Sequence, residues 1–363
     1  MKSSIEAIYH IRCEAGAIEG RARAIAVEQS VEMPVEGIED ECVLDEIVGE
    51  VHEIRDLGGG LFEARIGLNA QTTGDDAGQL MNMLFGNASL LDDVTLHDAI
   101  LPPEMLAAFG GPRQGFAELK ARVGVSRRAL TCSALKPQGM APAALAALAR
   151  RFAQGGVDYI KDDHGLAEQA YSPFADRVEA VAAALRSGGF NTRYVPSLTG
   201  DLDTLRREIA IARENGIETV MLAPMISGVS NMLALARDNP DMAILAHPAL
   251  GGAARIAPPL LIGKLFRLFG AGAVVFPNYG GRFGYSRETC KALARAALDE
   301  WGKLRPSVPV PAGGMRLARV PELLDFYGAE VMLLIGGDLL AARERLVEET
   351  KAFVASVEGY NYG

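Results

Sequence analysis

Hydrophobic and polar positions follow a regular rhythm from residue 129 onward. Short apolar runs recur, and each precedes a segment with apolar residues at helical spacing that often ends in glycine. The runs are ALTCSALK (129–136), DYIKDD (158–163), RYVPSLT (193–199), TVMLAP (219–224), AILAHP (243–248), AVVFPN (273–278), VPVPAGG (308–314) and VMLLIGG (331–337). Such a series predicts a (β/α)8 barrel. A doubly wound sheet is the competing fold, but no GxGxxG follows a first strand.

The N-terminal third has a different pattern. IEAIYHIRCEA and LFEARIGLNA predict strands, AIEGRARAIAVEQS predicts a helix between them, and PPEMLAAFGGPRQGFAELKARVGV predicts a connection into the barrel. We therefore predict an α/β protein with a small α+β N-terminal domain over residues 1–125. A C-terminal (β/α)8 TIM barrel would follow over residues 126–363.

Composition narrows the class of partner. The net charge of −10 argues against nucleic acid or an anionic membrane surface, and no apolar run approaches the ~20 residues of a membrane span. The four cysteines are far apart without a CxxC pair, and the start of the chain lacks the apolar region of a signal peptide. We therefore expect a cytoplasmic protein with reduced thiols that binds a small molecule.

Polar side chains follow several predicted strands, where a barrel of this type holds its active site. The stretch GGVDYIKDDH ends strand two with four of them in succession, Lys161 to His164. Strict alternation places Lys161 and Asp163 on one face and Asp162 and His164 on the other. Alternation relaxes where a strand becomes a loop, so Lys161, Asp163 and His164 can converge on a metal ion. A salt-bridged strand end is the alternative.

Glycine pairs follow the last two predicted strands, Gly313-Gly314 and Gly336-Gly337. This fold places phosphate at those strands, since backbone N–H groups approach a ligand closely where no Cβ intervenes. We predict that these four glycines bind a substrate phosphate; tight turns are the alternative.

Several motifs together resemble the RuBisCO large-subunit family. GGVDYIKDDH is similar to the family's GGxDFxKxDE, and LKPQG on the preceding strand is similar to IKPKxG. Further similar segments follow the family's order along the chain: AVEQS, FGNASLL, HPALGG, PAGGM and LLIGGD. Departures from the family pattern, such as Gln138 for the second lysine of KPK, indicate a RuBisCO-like protein of the non-carboxylating form IV branch.

The resemblance implies roles for individual residues. Lys161 would take up CO2 as a carbamate and bind Mg²⁺ with Asp163, and Lys136 would transfer protons. His164 stands where the family has its third ligand, a glutamate, so another divalent metal is an alternative, as is a Lys161 that remains an amine.

Further positions also acquire roles from the resemblance. His247 would contact substrate, and Arg282 is the cation nearest the shortened loop after strand six; a plain surface charge is the alternative for Arg282. The family forms homodimers with shared active sites, to which Glu28 and Asn87 would contribute from the partner subunit.

The lost residues suggest a substrate. The Arg, His and Ser of one family phosphate site are replaced by Pro248, Phe276 and Ala312, whereas the glycines of the other are kept. A ketose with one phosphate and an apolar end would fit, because a second phosphate would be desolvated without partners. The resemblance implies proton transfer of the 5-methylthioribulose-1-phosphate isomerase type, in methionine salvage. Alternatives are a 2,3-diketo-5-methylthiopentyl-1-phosphate enolase, a decarboxylase of a phosphorylated 3-oxo sugar acid, and a non-catalytic binding protein.

Overall fold

The chain forms two units, each described by itself. A computed structural model describes residues 4–362. The first unit contains the chain up to Gly110, Leu250–Leu261 and Trp301–Leu304, and the second contains the remainder, including residues 111–125. Within residues 4–362, no helix is long and apolar enough to cross a membrane.

The first unit is built on an antiparallel sheet of order β2-β3-β1-β4. Its strands are β1 (Ser4–Arg12), β2 (Glu50–Gly58), β3 (Leu61–Asn69) and β4 (Val94–Ile100). Its α-helices are α1 (Ile18–Glu28), α2 (Glu41–Glu46), α3 (Ala77–Phe85) and α4 (Pro103–Phe109). The predicted strands β1 and β3 and helix α1 are present. The sequence did not predict β2, whose side chains are mostly exposed and therefore carry little apolar alternation.

The second unit is a barrel of parallel strands, which confirms the predicted fold class. Each predicted apolar run contains one strand: β5 (Leu130–Leu135), β6 (Tyr159–Asp162), β7 (Arg193–Val195), β8 (Thr219–Leu222), β9 (Ala243–Ala246), β10 (Ala273–Pro277), β11 (Val308–Ala312) and β12 (Met332–Leu334). They pair in the orders β12-β5-β6-β7 and β11-β10-β9-β8. A parallel bridge between Ser197 and Met221 joins β7 to β8. Side chains from every strand, including Val310 and Met332, share one interior cluster.

Helices connect the strands. They are α5 (Phe116–Arg122), α6 (Pro142–Gln154), α7 (Phe174–Ser187), α8 (Leu202–Glu214), α9 (Pro224–Ser227), α10 (Val229–Asp238), α11 (Phe266–Leu268), α12 (Arg287–Leu298), α13 (Val320–Tyr327), α14 (Gly337–Ala341) and α15 (Leu346–Glu358). Helix α5 covers the interior of the barrel below the strands, since Leu119 joins the interior cluster and its carbonyl accepts from the Tyr159 hydroxyl at 2.7 Å. The carboxyl ends of the strands, at the opposite end, carry the candidate site.

Candidate active site

Strand alternation brings four of the predicted residues to one end of the barrel interior. Cys132 on β5, Tyr159 on β6 and Leu245 on β9 all belong to the interior cluster. Because side chains on a strand alternate between its two faces, the inward rows continue through Lys136, Lys161 and Asp163, and His247. The structure thus gathers the residues that the sequence had placed only at the ends of separate strands.

Lys161 is a buried cation without a carboxylate partner. Its residue is 4% exposed, and its Nζ donates to the backbone oxygen of Asp162 at 2.7 Å. Within residues 4–362 it forms no ion pair. Burial, and then the neighbouring charge of Lys136, lower the pKa of Lys161 to about 8.

Asp163 connects this strand end to Lys136 and to His164. One oxygen forms an ion pair with the Lys136 ammonium. The other lies 3.1 Å from His164 Nδ1 and accepts from the backbone N–H of Gly165 at 3.0 Å. Burial and the positive charge of Arg282 lower the pKa of Lys136. Asp163 is therefore the carboxylate that joins Lys136 and His164 at this strand end.

His164 and His247 form a stacked pair. Their ring centroids lie 4.4 Å apart with an interplanar angle of 7°. Burial, followed by the charges of Lys161 and His164, lowers the pKa of His247 to about 2, and burial and Lys161 also lower that of His164. His247 Nδ1 lies 3.2 Å from the backbone N–H of Ala249 and accepts from it, which assigns the proton of the neutral ring to Nε2.

Asp162 is turned away from these groups. It is fully buried, and its carboxylate accepts from Arg177 Nε at 3.0 Å, the Tyr194 hydroxyl at 2.7 Å and the Ser197 backbone N–H at 3.1 Å. Burial raises the pKa of Asp162, while Arg177 lowers it. The expected alternation separates Asp162 from Lys161 and Asp163, but His164, which begins the loop, lies beside Asp163.

The glycines lie next to the loop that carries Arg282. Gly313 and Gly314 have φ of +85° and +93°, a conformation that favours glycine. The Arg282 N–H donates to the Gly313 carbonyl at 2.9 Å, and after burial the Arg282 charge contributes to lowering the pKa values of Lys136 and His164. After β12, Gly337 begins α14, and a Cβ built on it would meet nothing within 4 Å. All these residues belong to the second unit.

One residue of the predicted apolar end points away from the barrel interior. Val275 is in the barrel interior, so its neighbour Phe276 faces the surrounding helices, where its ring centroid lies 6.2 Å from that of Tyr327. The motif match could not give this direction, because it counts positions along the chain and not the face to which a side chain points. Ala312 does pack against the interior cluster.

Glu28 and Asn87 lie together on the first unit. Asn87 Nδ2 donates to Glu28 Oε1 at 2.8 Å and to Glu32 at 3.1 Å, and all three side chains are in an exposed or half-buried setting. The buried Gln29 holds them there, since its side chain donates to the Met83 carbonyl at 2.9 Å and accepts from the Ala88 N–H at 2.9 Å.

The sequence did not reveal the partners that fix the site from outside the barrel. Arg177 and Tyr194 hold Asp162, and the Tyr327 hydroxyl donates to Asn278 at 2.7 Å. The only available signal was a polar residue on a predicted apolar helix face, such as Arg177 in FADRVEAVAAAL.

The chain and its fold have known counterparts. The family model of the ribulose bisphosphate carboxylase large chain, catalytic domain, matches residues 115–273. The 5-methylthioribulose-1-phosphate isomerase of Rhodospirillum rubrum is 59% identical over 364 residues, which cover 99% of this chain and 97% of that protein. The crystal structure of a Rubisco-like protein from Rhodopseudomonas palustris has a TM-score of 0.93 and 52% identity, over 99% of each chain.

A more distant relative is the 2,3-diketo-5-methylthiopentyl-1-phosphate enolase of Geobacillus thermodenitrificans. It is 33% identical over 295 residues, which cover 78% of this chain and 71% of the enzyme. The chain belongs to the RuBisCO large-chain superfamily, and within it to the non-carboxylating RuBisCO-like proteins. The resemblance seen in the sequence motifs is thereby confirmed.

Proposed function

We propose that the protein is a 5-methylthioribulose-1-phosphate isomerase that works by metal-assisted proton transfer. The observation that carries this proposal is its 59% identity, across 99% of the chain, to the Rhodospirillum rubrum protein of that name. The assembled side chains of Lys136, Lys161, Asp163 and His247 support it, since they supply basic and metal-binding groups in one place. The enolase is a second candidate, which its relative at 33% identity supports less strongly.

A magnesium ion fits this strand end when Lys161 carries a carbamate. The described residues contain no group of three His, Cys, Asp or Glu side chains that could hold a metal. Asp163 and His164 offer two ligands, and Lys161 would offer a third as a carbamate. A lysine adds CO2 only as the uncharged amine, with loss of a proton, and a pKa of about 8 leaves some amine uncharged at neutral pH. The carbamate then presents the anionic oxygens that Mg²⁺ prefers.

Lys136 is the group we assign to moving the proton. In its uncharged form it would remove the proton next to the substrate carbonyl, and the electron pair of that C–H bond would pass toward the carbonyl oxygen, forming an enediolate. Returning a proton to the neighbouring carbon completes an isomerisation without net gain or loss of atoms. Bound Mg²⁺ would stabilise the negative charge on the oxygen. Burial and Arg282 assist by lowering the pKa of Lys136.

His247 is suited to donate a hydrogen bond. A pKa near 2 keeps its ring neutral at physiological pH, and its Nδ1 accepts from the Ala249 N–H. The proton on Nε2 is then available for a substrate oxygen. The stack with His164 fixes the plane of the ring, so the direction of this donor is set before substrate binds.

The remaining assignments concern the ends of the substrate and the assembly. Backbone N–H groups of the glycines after β11 and β12 would bind the single phosphate, with Arg282 adding positive charge. Ala312 would face the apolar end of the substrate. In a homodimer, the paired Glu28 and Asn87 of one protomer would complete the site of the other, and we place the protein in the cytoplasm.

The test is proton exchange. The purified protein, with bicarbonate and Mg²⁺, is incubated in deuterated water with 5-methylthioribulose 1-phosphate, and deuterium incorporation and the rearranged ketose are followed by NMR. We expect both in the wild-type protein, and neither after treatment with EDTA nor in the Lys136→Met variant. Absence of exchange with every monophosphorylated ketose tried would overturn the proposal.

A further inference from the structure

Three buried polar atoms lie beneath the strand end without a hydrogen-bond partner in residues 4–362. They are Ser172 Oγ, Arg177 Nη2 and Glu208 Oε1. Ser172 and Arg177 are fully buried, and Glu208 is 3% exposed. A buried polar group without a partner costs about 1–3 kcal/mol, so native proteins satisfy nearly all of them, often with an internal water molecule.

Ser172 and Glu208 both neighbour Arg177. Arg177 Nη1 donates to the Ser172 carbonyl at 2.6 Å, and the Arg177 charge lowers the pKa of Glu208, which burial raises to about 7. The other Glu208 oxygen accepts from the Thr199 N–H at 2.9 Å. The free groups are a guanidinium donor, a carboxylate acceptor and a hydroxyl that can do either. One water molecule placed among them would satisfy all three, by accepting from Arg177, donating to Glu208 and bonding to Ser172.

The same arginine binds the buried carboxylate at the end of β6. Arg177 Nε donates to Asp162 at 3.0 Å, and both side chains have no exposed surface. Asp162 lies between Lys161 and Asp163 in sequence, so whatever holds its carboxylate outside the barrel keeps its two neighbours pointing inside. Tyr194 adds a second restraint at 2.7 Å. The guanidinium thus restrains the segment that carries the proposed metal ligands.

We propose that a buried water molecule joins Ser172, Arg177 and Glu208, and that Glu208 is a positioning residue for Lys161 and Asp163. Glu208 acts through the water and Arg177 on Asp162, and it touches neither substrate nor metal. The inference deepens the proposed function, because it depends on a metal site at Lys161 and Asp163.

The test compares Glu208→Met with a control variant at Asp158, the residue just before β6. Asp158→Asn disturbs another buried Asp–Arg pair, with Arg128, at the opposite end of β6. Binding of Mn²⁺ in the presence of bicarbonate is measured by electron paramagnetic resonance, with the melting temperature and the separate kcat and KM of each variant. For Glu208→Met we expect Mn²⁺ affinity and kcat to fall about tenfold, with KM nearly unchanged. Asp158→Asn should lower the melting temperature but leave Mn²⁺ affinity as in the wild type.

A conservative variant distinguishes a positioning role of Glu208 from a loss of packing around its side chain. Glu208→Gln keeps the shape and an oxygen for Thr199, and a water can still bridge it to Arg177, so Mn²⁺ affinity should recover to within about threefold of the wild type. Wild-type Mn²⁺ affinity in Glu208→Met, alongside a lowered melting temperature, would overturn the positioning role. A high-resolution crystal structure without density between the three atoms would overturn the water.

The two proposals can fail separately. A wild-type protein that binds Mn²⁺ but leaves the ketose phosphate unchanged overturns the isomerase function, and the affinities of the variants still decide the role of Glu208. A wild-type protein that binds no Mn²⁺ at any bicarbonate concentration overturns both.

Discussion

The two ends of strand β6 use buried charge in opposite ways. At the amino end, Asp158 accepts from both terminal nitrogens of Arg128, at 2.7 and 2.9 Å, and from the backbone and hydroxyl of Thr131, both at 2.8 Å. At the carboxyl end, Lys161 is equally buried, but the hydrogen bond that the structure gives it is to a backbone oxygen.

The two ends of this short strand therefore have different roles, one in stability and the other in the candidate site. A buried charge with complete partners is stabilising only while the pair is intact, and it has nothing left to offer a ligand. A buried charge with incomplete partners destabilises the folded protein, and such groups concentrate at functional sites. In barrels of this type the carboxyl ends of the strands hold the chemistry, and the amino ends serve stability.

Replacing Lys161 gives the largest expected effect. In Lys161→Met the side chain keeps its length but loses both the amine and any carbamate, so we expect kcat/KM to fall by about 10³ or more. Stability should hold or increase, because a buried ammonium without a carboxylate is removed. Steady-state kinetics and urea unfolding measure both. Activity within tenfold of the wild type would contradict the site.

The matching change at the other end should have the opposite profile. Asp158→Asn removes the charge that Arg128 pairs with at 2.7 Å and leaves it only the longer ion pair to Glu358, at 3.6 Å, so we expect a loss of about 2 kcal/mol of the free energy of unfolding. We expect kcat/KM per folded molecule to stay within about twofold of the wild type, since the strand end that carries Lys161 is untouched. A large loss of kcat/KM with an unchanged free energy of unfolding would show that the two ends of β6 do not differ in this way.

The pH dependence of activation by CO2 tests the role of Lys161 at the carboxyl end of β6. With its pKa lowered to about 8, the uncharged amine increases about tenfold per pH unit below that value and levels off above it. The rate of CO2-dependent activation should follow this curve, measured after preincubation at each pH and assayed at one common pH. The lowered pKa also means that the charged form destabilises the fold, so stability should rise as the pH passes from about 8 toward the ordinary lysine value.

A smaller effect is expected at His164. Its half-exposed imidazole gives a nitrogen where Mg²⁺ prefers oxygen, so His164→Glu should tighten Mg²⁺ activation by about fivefold. His164→Gln, which has the same length without the charge, is the control. Equal Mg²⁺ requirements in the two variants would show that His164 does not face the metal.

Much of the barrel could be predicted because its signals are local. Each apolar run that predicted a strand contains one, and the alternation from Tyr159 to Lys161 and Asp163 follows from the strand period. Contacts between distant segments could not be predicted. The hydrogen bond from Arg177 to Asp162 joins a helix to a strand. The orientation of Phe276 away from the interior depends on which face of β10 meets the interior. The exposed strand β2 carried too few apolar residues to be recognised.

Lys161 and Asp162 point to opposite faces of β6, so the direction of each side chain depends on the exact length of the strand. Loss or gain of a single residue within the strand would exchange the two side chains, driving an ammonium against Arg177 and bringing a carboxylate into the barrel. A single insertion or deletion within the strand would misplace both side chains, whereas an insertion in the loop beyond Gly165 would misplace neither. Substitutions in this strand can therefore change the site one residue at a time, but a change in the length of the strand would abolish the site in one step.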